Sequence, residues 1–263
     1  LRLAAAPDTV LGAAGREARR LIDSGRAGKI TAGTAFVLSR GMEHWHPSPA
    51  WFFQPGAGPV FDMGPYYLTQ LVQLLGPVLR VAALAGTGFT ERLLTAEGPN
   101  KGTKVPVATP TTLLSLLDFA GGSQVVFGAS WDVPRHSHRP FELYGTEASL
   151  RLPDPNFMGG VIEIGTREDD WQEIRTDHLV FGQINYPVDA PRAANDRGLG
   201  LGEMARAIKQ GRPQRLSAGL ALHVTAIMEA ILRAGAEGHV VQVGDPVERP
   251  EPLGEDEAAS LLR

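Results

Sequence analysis

The chain has 263 residues, with 25 Lys and Arg against 29 Asp and Glu, and a net charge of −4, so it lacks the dense basic patch that nucleic-acid binding demands. Apolar residues make up 43% and charged residues 21%, a globular composition that excludes a mostly disordered chain. The absence of cysteine excludes a disulfide, a thiolate zinc site, an iron–sulfur cluster and a cysteine nucleophile. It fits a reducing cytoplasm, the expected location. No run reaches roughly 18 consecutive apolar residues, so no membrane span is expected. The apolar start is too short for a signal peptide.

Residues 1–6 are apolar and read as one strand. Pro7-Asp8-Thr9 then opens a helix, with Asp8 or Thr9 as the N-cap. Leu11, Ala14, Ala18, Leu21 and Ile22 share its buried face, Arg16, Arg19 and Arg20 its solvated one, and Gly25 ends it. Period-two patterning over 30–40 predicts a strand, followed by the stiff aromatic loop Glu43-His44-Trp45-His46-Pro47. Leu68, Leu71, Val72 and Leu75 form a helical stripe stopped by Gly76-Pro77. Pro65 suits only a first turn, which places Asp62 at the helix N-terminus and Tyr66 one turn on, on the same face.

From residue 78 the pattern is mostly strands, at 78–90, 111–119, 123–130, 139–145, 148–152, 161–166 and 171–175, with a polar loop over 99–110. Two late helices follow. The first has Leu201, Met204, Ala205 and Ile208 on one face, and the second starts at Ser217 and ends near Gly238. Residues 239–243 close as a strand. Short turns between successive strands predict a mainly antiparallel sheet with one uncovered face, a surface for self-association.

Several motifs carry chemistry. A phenol near a helix N-terminus can exchange a proton with a hydroxyl or carbonyl while a neighbouring carboxylate holds the substrate, the role open to Tyr66 and Asp62. The alternative is that Asp62 caps the helix and Tyr66 packs. His44/His46 and His136/His138 have the spacing of some metal pairs, but neither has an obvious third ligand, so no metal is expected. Gly200-x-Gly202-x-x-Ala205 opens a helix as a dinucleotide turn would, but the polar, proline-broken 189–197 precedes it instead of a buried strand. Asn195 and Arg197, in a loop before that helix, can bind hydroxyls or anions or merely form a turn and a salt bridge. His223 sits among apolar neighbours in a helix.

Pro-Asp-Thr-x-Leu-Gly at 7–12, Glu-His-Trp-His-Pro at 43–47, Gly-x-Gly-Pro-x-x-Asp-Met-Gly-Pro-Tyr-Tyr-Leu at 56–68, Tyr-Gly-Thr-Glu at 144–147, Asn-x-Arg-Gly at 195–198 and Ala-Leu-His-Val at 221–224 occur in order along the chain. Together they resemble the Gfo/Idh/MocA family of glucose–fructose oxidoreductase and myo-inositol dehydrogenase-like proteins, and a bacterial-type member is expected. The resemblance implies an α/β (α+β) fold, with a large, mainly antiparallel, open-faced sheet carrying helices on one side. It implies that 1–8 is the last strand of a dinucleotide-binding domain otherwise missing here, together with its Gly-rich turn and Glu-Lys-Pro motif. Residues 9–263 would then be the substrate-binding and oligomerisation domain.

It further implies an NAD- or NADP-dependent oxidoreductase acting on a sugar, cyclitol or related polyol, inactive without the missing part. Tyr66 would be the acid/base group and Asp62 its partner. Trp45, His46, Asn195, Arg197 and His223 would surround the substrate, and Gly58 and Gly64 would let the cofactor approach closely. A homodimer or homotetramer through the open sheet face is expected. The rival readings are a non-catalytic sugar-binding or oligomerisation module and, more remotely, a metal-dependent hydrolase built on the His pairs.

Overall fold

The computed structural model describes residues 1–186, 193–244 and 246–262. Of the polar stretch 189–197, residues 189–192 therefore lie outside the described residues. The strands are β1 Ile30–Leu38, β2 Val78–Gly86, β3 Glu91–Leu93, β4 Lys104–Pro106, β5 Thr112–Phe119, β6 Gln124–Ser130, β7 Phe141–Gly145, β8 Ser149–Leu152, β9 Val161–Gly165, β10 Gln172–Arg175 and β11 Val241–Gln242. The helices are α1 Ala13–Asp23, α2 Pro59–Leu75, α3 Leu199–Gln210, α4 Ala218–Glu237 and α5 Glu255–Ser260. All strands but β3 and β4 form one sheet in the order β10-β9-β8-β7-β1-β6-β5-β2-β11. Its pairs are antiparallel except β1 with β6, which run parallel.

Alternation decides the two faces. Leu113, Leu117, Val125 and Phe127 point inward, where Leu68, Leu71 and Val72 of α2 and Leu220, Ile227 and Ile231 of α4 complete the core. Leu114, Leu116 and Val126 point outward and stay exposed. The expected open-faced, mainly antiparallel sheet is what the chain forms. α4 is long and apolar enough to cross a bilayer by length and composition, but it packs against β2 and α2 as a core helix.

Several local expectations give way to tertiary packing. Residues 1–6 form no strand, and only Ala4 finds a bridge, to Ser217. Asp8 caps a different helix from the one expected: its Oδ2 accepts from the N–H groups of Gly198 (2.9 Å) and Gly200 (3.0 Å) at the start of α3. Arg16 and Arg19 are buried rather than solvated. Arg16 pairs with Glu255, while Arg19 pairs with Asp23 and donates to the carbonyls of Gln73 (3.1 Å) and Pro250 (3.0 Å).

α2 begins at Pro59, so Pro65 lies inside the helix, and Asp62 is the acidic residue of its first turn. The 99–110 loop contains β4, paired with β3. α3 is turned over relative to the apolar pattern: Leu201 and Ile208 are exposed, while Glu203 is fully buried. Ser217 does cap α4, accepting from the Leu220 N–H at 3.1 Å, and Gly238 ends it in the left-handed region.

Candidate active site

A cavity of about 560 Å³ opens where the end of β1 and the loop between β6 and β7 meet the start of α2. Its wall includes Met63 and Tyr67 from α2, His44 and Trp45 from the loop after β1, His136 and His138 from the loop before β7, and Asp154 from the turn after β8. Imidazole, indole and phenol rings dominate this wall, the kind of surface on which sugar C–H faces stack.

Tyr66 stands beside the cavity rather than in it. Arg197 donates from Nη1 to the Tyr66 hydroxyl at 3.4 Å, with its guanidinium 5.4 Å from the ring centroid. Arg197 also donates from Nε to Asn195 Oδ1 (2.7 Å) and from Nη2 to the carbonyl (2.6 Å) and Oδ1 (2.7 Å) of Asn156. The Asn195 N–H in turn donates to Asn185 Oδ1 at 2.7 Å. Tyr66, Asn195 and Arg197 are thereby brought together, on the same turn that supplies Asp154 to the cavity. The Asp154 Oδ1 accepts from the Asn156 N–H at 2.9 Å.

The ionisable groups here are held off their ordinary values by burial. Desolvation raises the Asp62 carboxyl, and Asp62 has no side-chain partner among the described residues. Asp154 is also raised by burial, against the Asn156 N–H and the charge of Arg197. Burial first, and then the negative charge of Asp154, pushes the Tyr67 phenol well above its ordinary value. Burial, followed by the Arg40 guanidinium, lowers the His44 imidazole.

Asp62 yields a pH prediction. Its native value lies above that of the unfolded chain, so its contribution to stability is complete below about pH 4 and is lost as the pH rises through the native value. Asp62→Asn is therefore expected to raise the melting temperature at pH 7. Below about pH 4 the two proteins should melt together. Calorimetry across this range checks it, and an unchanged or lower melting temperature at pH 7 would refute it.

Four expected site residues lie elsewhere. His223 is fully buried and its Nε2 accepts from the Val78 N–H at 3.1 Å, which fixes α4 to β2 and keeps the ring from any ligand. His46 turns away from the cavity: its Nδ1 accepts from the Ser48 N–H at 3.1 Å, and its ring packs edge-on to Phe52 and Trp45. His44 takes the cavity wall instead. Gly64 is buried where α2 crosses α4, and a Cβ there would lie 3.4 Å from Met228 Sδ. Gly58 is also buried, at φ +101°, and a Cβ would meet the Pro110 carbonyl at 3.2 Å. Close packing against α4 by itself requires a small residue at Gly64, and the left-handed start of α2 by itself requires glycine at 58.

Tyr67, Asp154 and Asn156 are site residues that the sequence reading missed. Tyr67 had a signal, since Met63 and Tyr67 share a helical face one step round from Asp62 and Tyr66. Asp154, between two prolines, looks like an ordinary turn residue. Among the described residues no three His, Asp or Glu side chains converge as a metal site would need.

Residues 16–151 match the family model described as the GFO/IDH/MocA C-terminal domain. No curated protein sequence matches the chain significantly. Among solved structures the chain is similar to levoglucosan dehydrogenase in complex with NADH, with a TM-score of 0.70 and 20% identity over 90% of this chain and 64% of that one. It is similar to an oxidoreductase domain protein from Kribbella flavida (TM-score 0.68, 19% identity, 89% and 64% covered). It is also similar to aldose-aldose oxidoreductase from Caulobacter crescentus complexed with glycerol (TM-score 0.64, 18% identity, 92% and 64% covered). The chain thus spans just under two thirds of the length of these proteins. By the match of its first half and by its fold, the chain belongs to the Gfo/Idh/MocA family, through that family's C-terminal domain.

Proposed function

We propose that the chain is the substrate-binding part of a nicotinamide-dependent oxidoreductase that interconverts a carbinol and a carbonyl on a sugar, cyclitol or related polyol. The observation that carries this reading is the Tyr66 hydroxyl held by Arg197, which also bonds the Asn156 turn that supplies Asp154 to the ring-lined cavity, with the desolvated Asp62 carboxyl one turn before Tyr66. Oxidation of a carbinol removes a proton from oxygen and a hydride from carbon. A bound NAD or NADP supplies the hydride acceptor. Tyr66 takes the proton, Asp62 orients the hydroxyl, and Arg197 fixes the phenol in position.

Among the described residues there is no strand–Gly-rich turn–helix unit of the dinucleotide-binding kind, so these residues offer no cradle for the dinucleotide phosphates. The 263-residue chain alone is therefore expected to be inactive.

The open sheet face supports pairing of copies. Leu84 of β2 lies opposite Leu114 of β5, and Leu116 lies opposite Val126 of β6, a contiguous exposed apolar patch. A second copy laid on this face would bury it on both partners.

The direct test is an absorbance assay of NAD+ and NADP+ reduction with a panel of sugars and polyols. It compares this chain with the polypeptide read in frame upstream of Leu1. Turnover by the longer polypeptide alone is the expected result, and light scattering of the same preparation reads its assembly. Turnover by the 263-residue chain would refute its dependence on a separate cofactor domain. Failure of the longer polypeptide on every substrate would favour the non-catalytic binding module.

A further inference from the structure

The floor of the cavity contains two polar groups with unused hydrogen-bonding capacity. Tyr67 is 3% exposed, with its ring stacked on Phe141 at 5.0 Å and tilted against Phe127 at 6.2 Å. It lines the cavity, and its hydroxyl makes no hydrogen bond to another described residue and is not among the sealed, unpaired polar atoms, so it opens onto the cavity. Asp154 lines the same cavity and is the charged group that acts on Tyr67. Its Oδ1 is engaged by the Asn156 N–H, while Oδ2 has no partner among the described residues. A phenol that opens onto the cavity can donate a hydrogen bond to a ligand there, and a carboxylate oxygen can accept one.

We propose that Asp154 and Tyr67 form a recognition pair that reads two hydroxyls of the ligand and admits neutral polyols while rejecting their carboxylate counterparts. The inference rests on the polyol reading above and adds the residues that set its selectivity. One ligand hydroxyl donates to Asp154 Oδ2, and the oxygen of a second accepts from the Tyr67 O–H. The phenol keeps its proton because both burial and the neighbouring carboxylate oppose its ionisation. A ligand carboxylate in the same place would set two negative charges together in a desolvated space, so aldonic and uronic acids are excluded. Trp45 and Trp131, also on the cavity wall, report occupancy through their fluorescence.

The test is a fluorescence titration of this chain and of Asp154→Asn and Tyr67→Phe, with saturation-transfer NMR as a second readout. The probes are myo-inositol and D-glucose as neutral polyols and D-gluconate as the anion. The wild type should bind at least one neutral probe and prefer it to gluconate. Asp154→Asn should weaken that binding about tenfold or more and narrow the preference over gluconate, and Tyr67→Phe should weaken it about three- to tenfold. A merely structural role would not move the preference. Should Tyr67→Phe fail to fold, Asp154→Asn alone decides, through its change in selectivity. If the variants bind and discriminate as the wild type does, the recognition pair is refuted and the polyol reading stands. If the wild type binds neither neutral probe, both fall.

Discussion

Tyr66→Phe, made in the polypeptide that includes the nicotinamide-binding part, is expected to lower kcat by about 10²–10⁴-fold, the usual loss when a positioned proton-transfer group is removed. KM for the polyol should stay near its wild-type value, because the phenol acts on the proton in transit rather than on the bound ground state. The change deletes one oxygen and leaves the ring, so the guanidinium of Arg197 keeps its place 5.4 Å from the ring centroid and its bonds to Asn156 and Asn195. Initial rates monitored by NADH absorbance read the effect. A kcat within a factor of about ten of wild type would take the proton away from Tyr66. The nearest alternative phenol, Tyr67, is poorly suited to the role, since burial and Asp154 both hold it protonated.

The largest expected loss of stability lies away from the cavity. Glu203 is fully buried inside α3. Its Oε1 accepts from Arg212 Nη1 (2.7 Å) and Arg215 Nη1 (3.0 Å), and its Oε2 accepts from the Arg215 N–H (3.2 Å). Arg215 also donates to Glu257 at 2.6 Å and to the carbonyls of Glu251 (2.9 Å) and Pro252 (3.0 Å). One carboxylate thus anchors two guanidinium groups that hold the carboxy-terminal segment to the body.

Glu203→Ala removes the buried carboxylate that both guanidinium groups share and leaves them Glu257 alone, a loss of about 3 kcal/mol, the lower end for breaking a buried pair. The melting temperature should fall by roughly 6–12 °C. Glu203→Gln, which keeps an acceptor oxygen, should fall between the two. Calorimetry of the three proteins checks this, and a shift under about 2 °C for the alanine variant would show that the cluster carries no net stability.

What could be read from the sequence follows from how local each determinant is. Period-two runs such as 112–119 gave their strands because each residue's neighbours in sequence already declare which face is buried. The pairing of Asp62 with Tyr66 was visible because a helix carries residue i next to residue i+4. Arg197 was visible as a hydrogen-bonding residue of a loop, while its place against Tyr66, 131 positions away, is set by the turn at Asn156.

The failures share one cause. α3 offers Leu201 and Ile208 as an apolar stripe, but the buried ion cluster at Glu203 rotates the opposite face inward. Arg16 and Arg19 looked like surface cations until partners from 231 and 239 positions along the chain satisfied them. His223 appeared able to meet a ligand and is instead engaged by the Val78 N–H 145 positions away, while His46 is held by the Ser48 N–H two residues on and by the packing of its ring.

The Asp8 carboxylate gathers the first amides of α3, and the residue immediately before those amides is Arg197. The segment at Asp8 and the clamp on the Tyr66 phenol are thus mechanically one piece. A displacement of Asp8 would reach the Tyr66 hydroxyl through a single carboxylate and a single peptide unit.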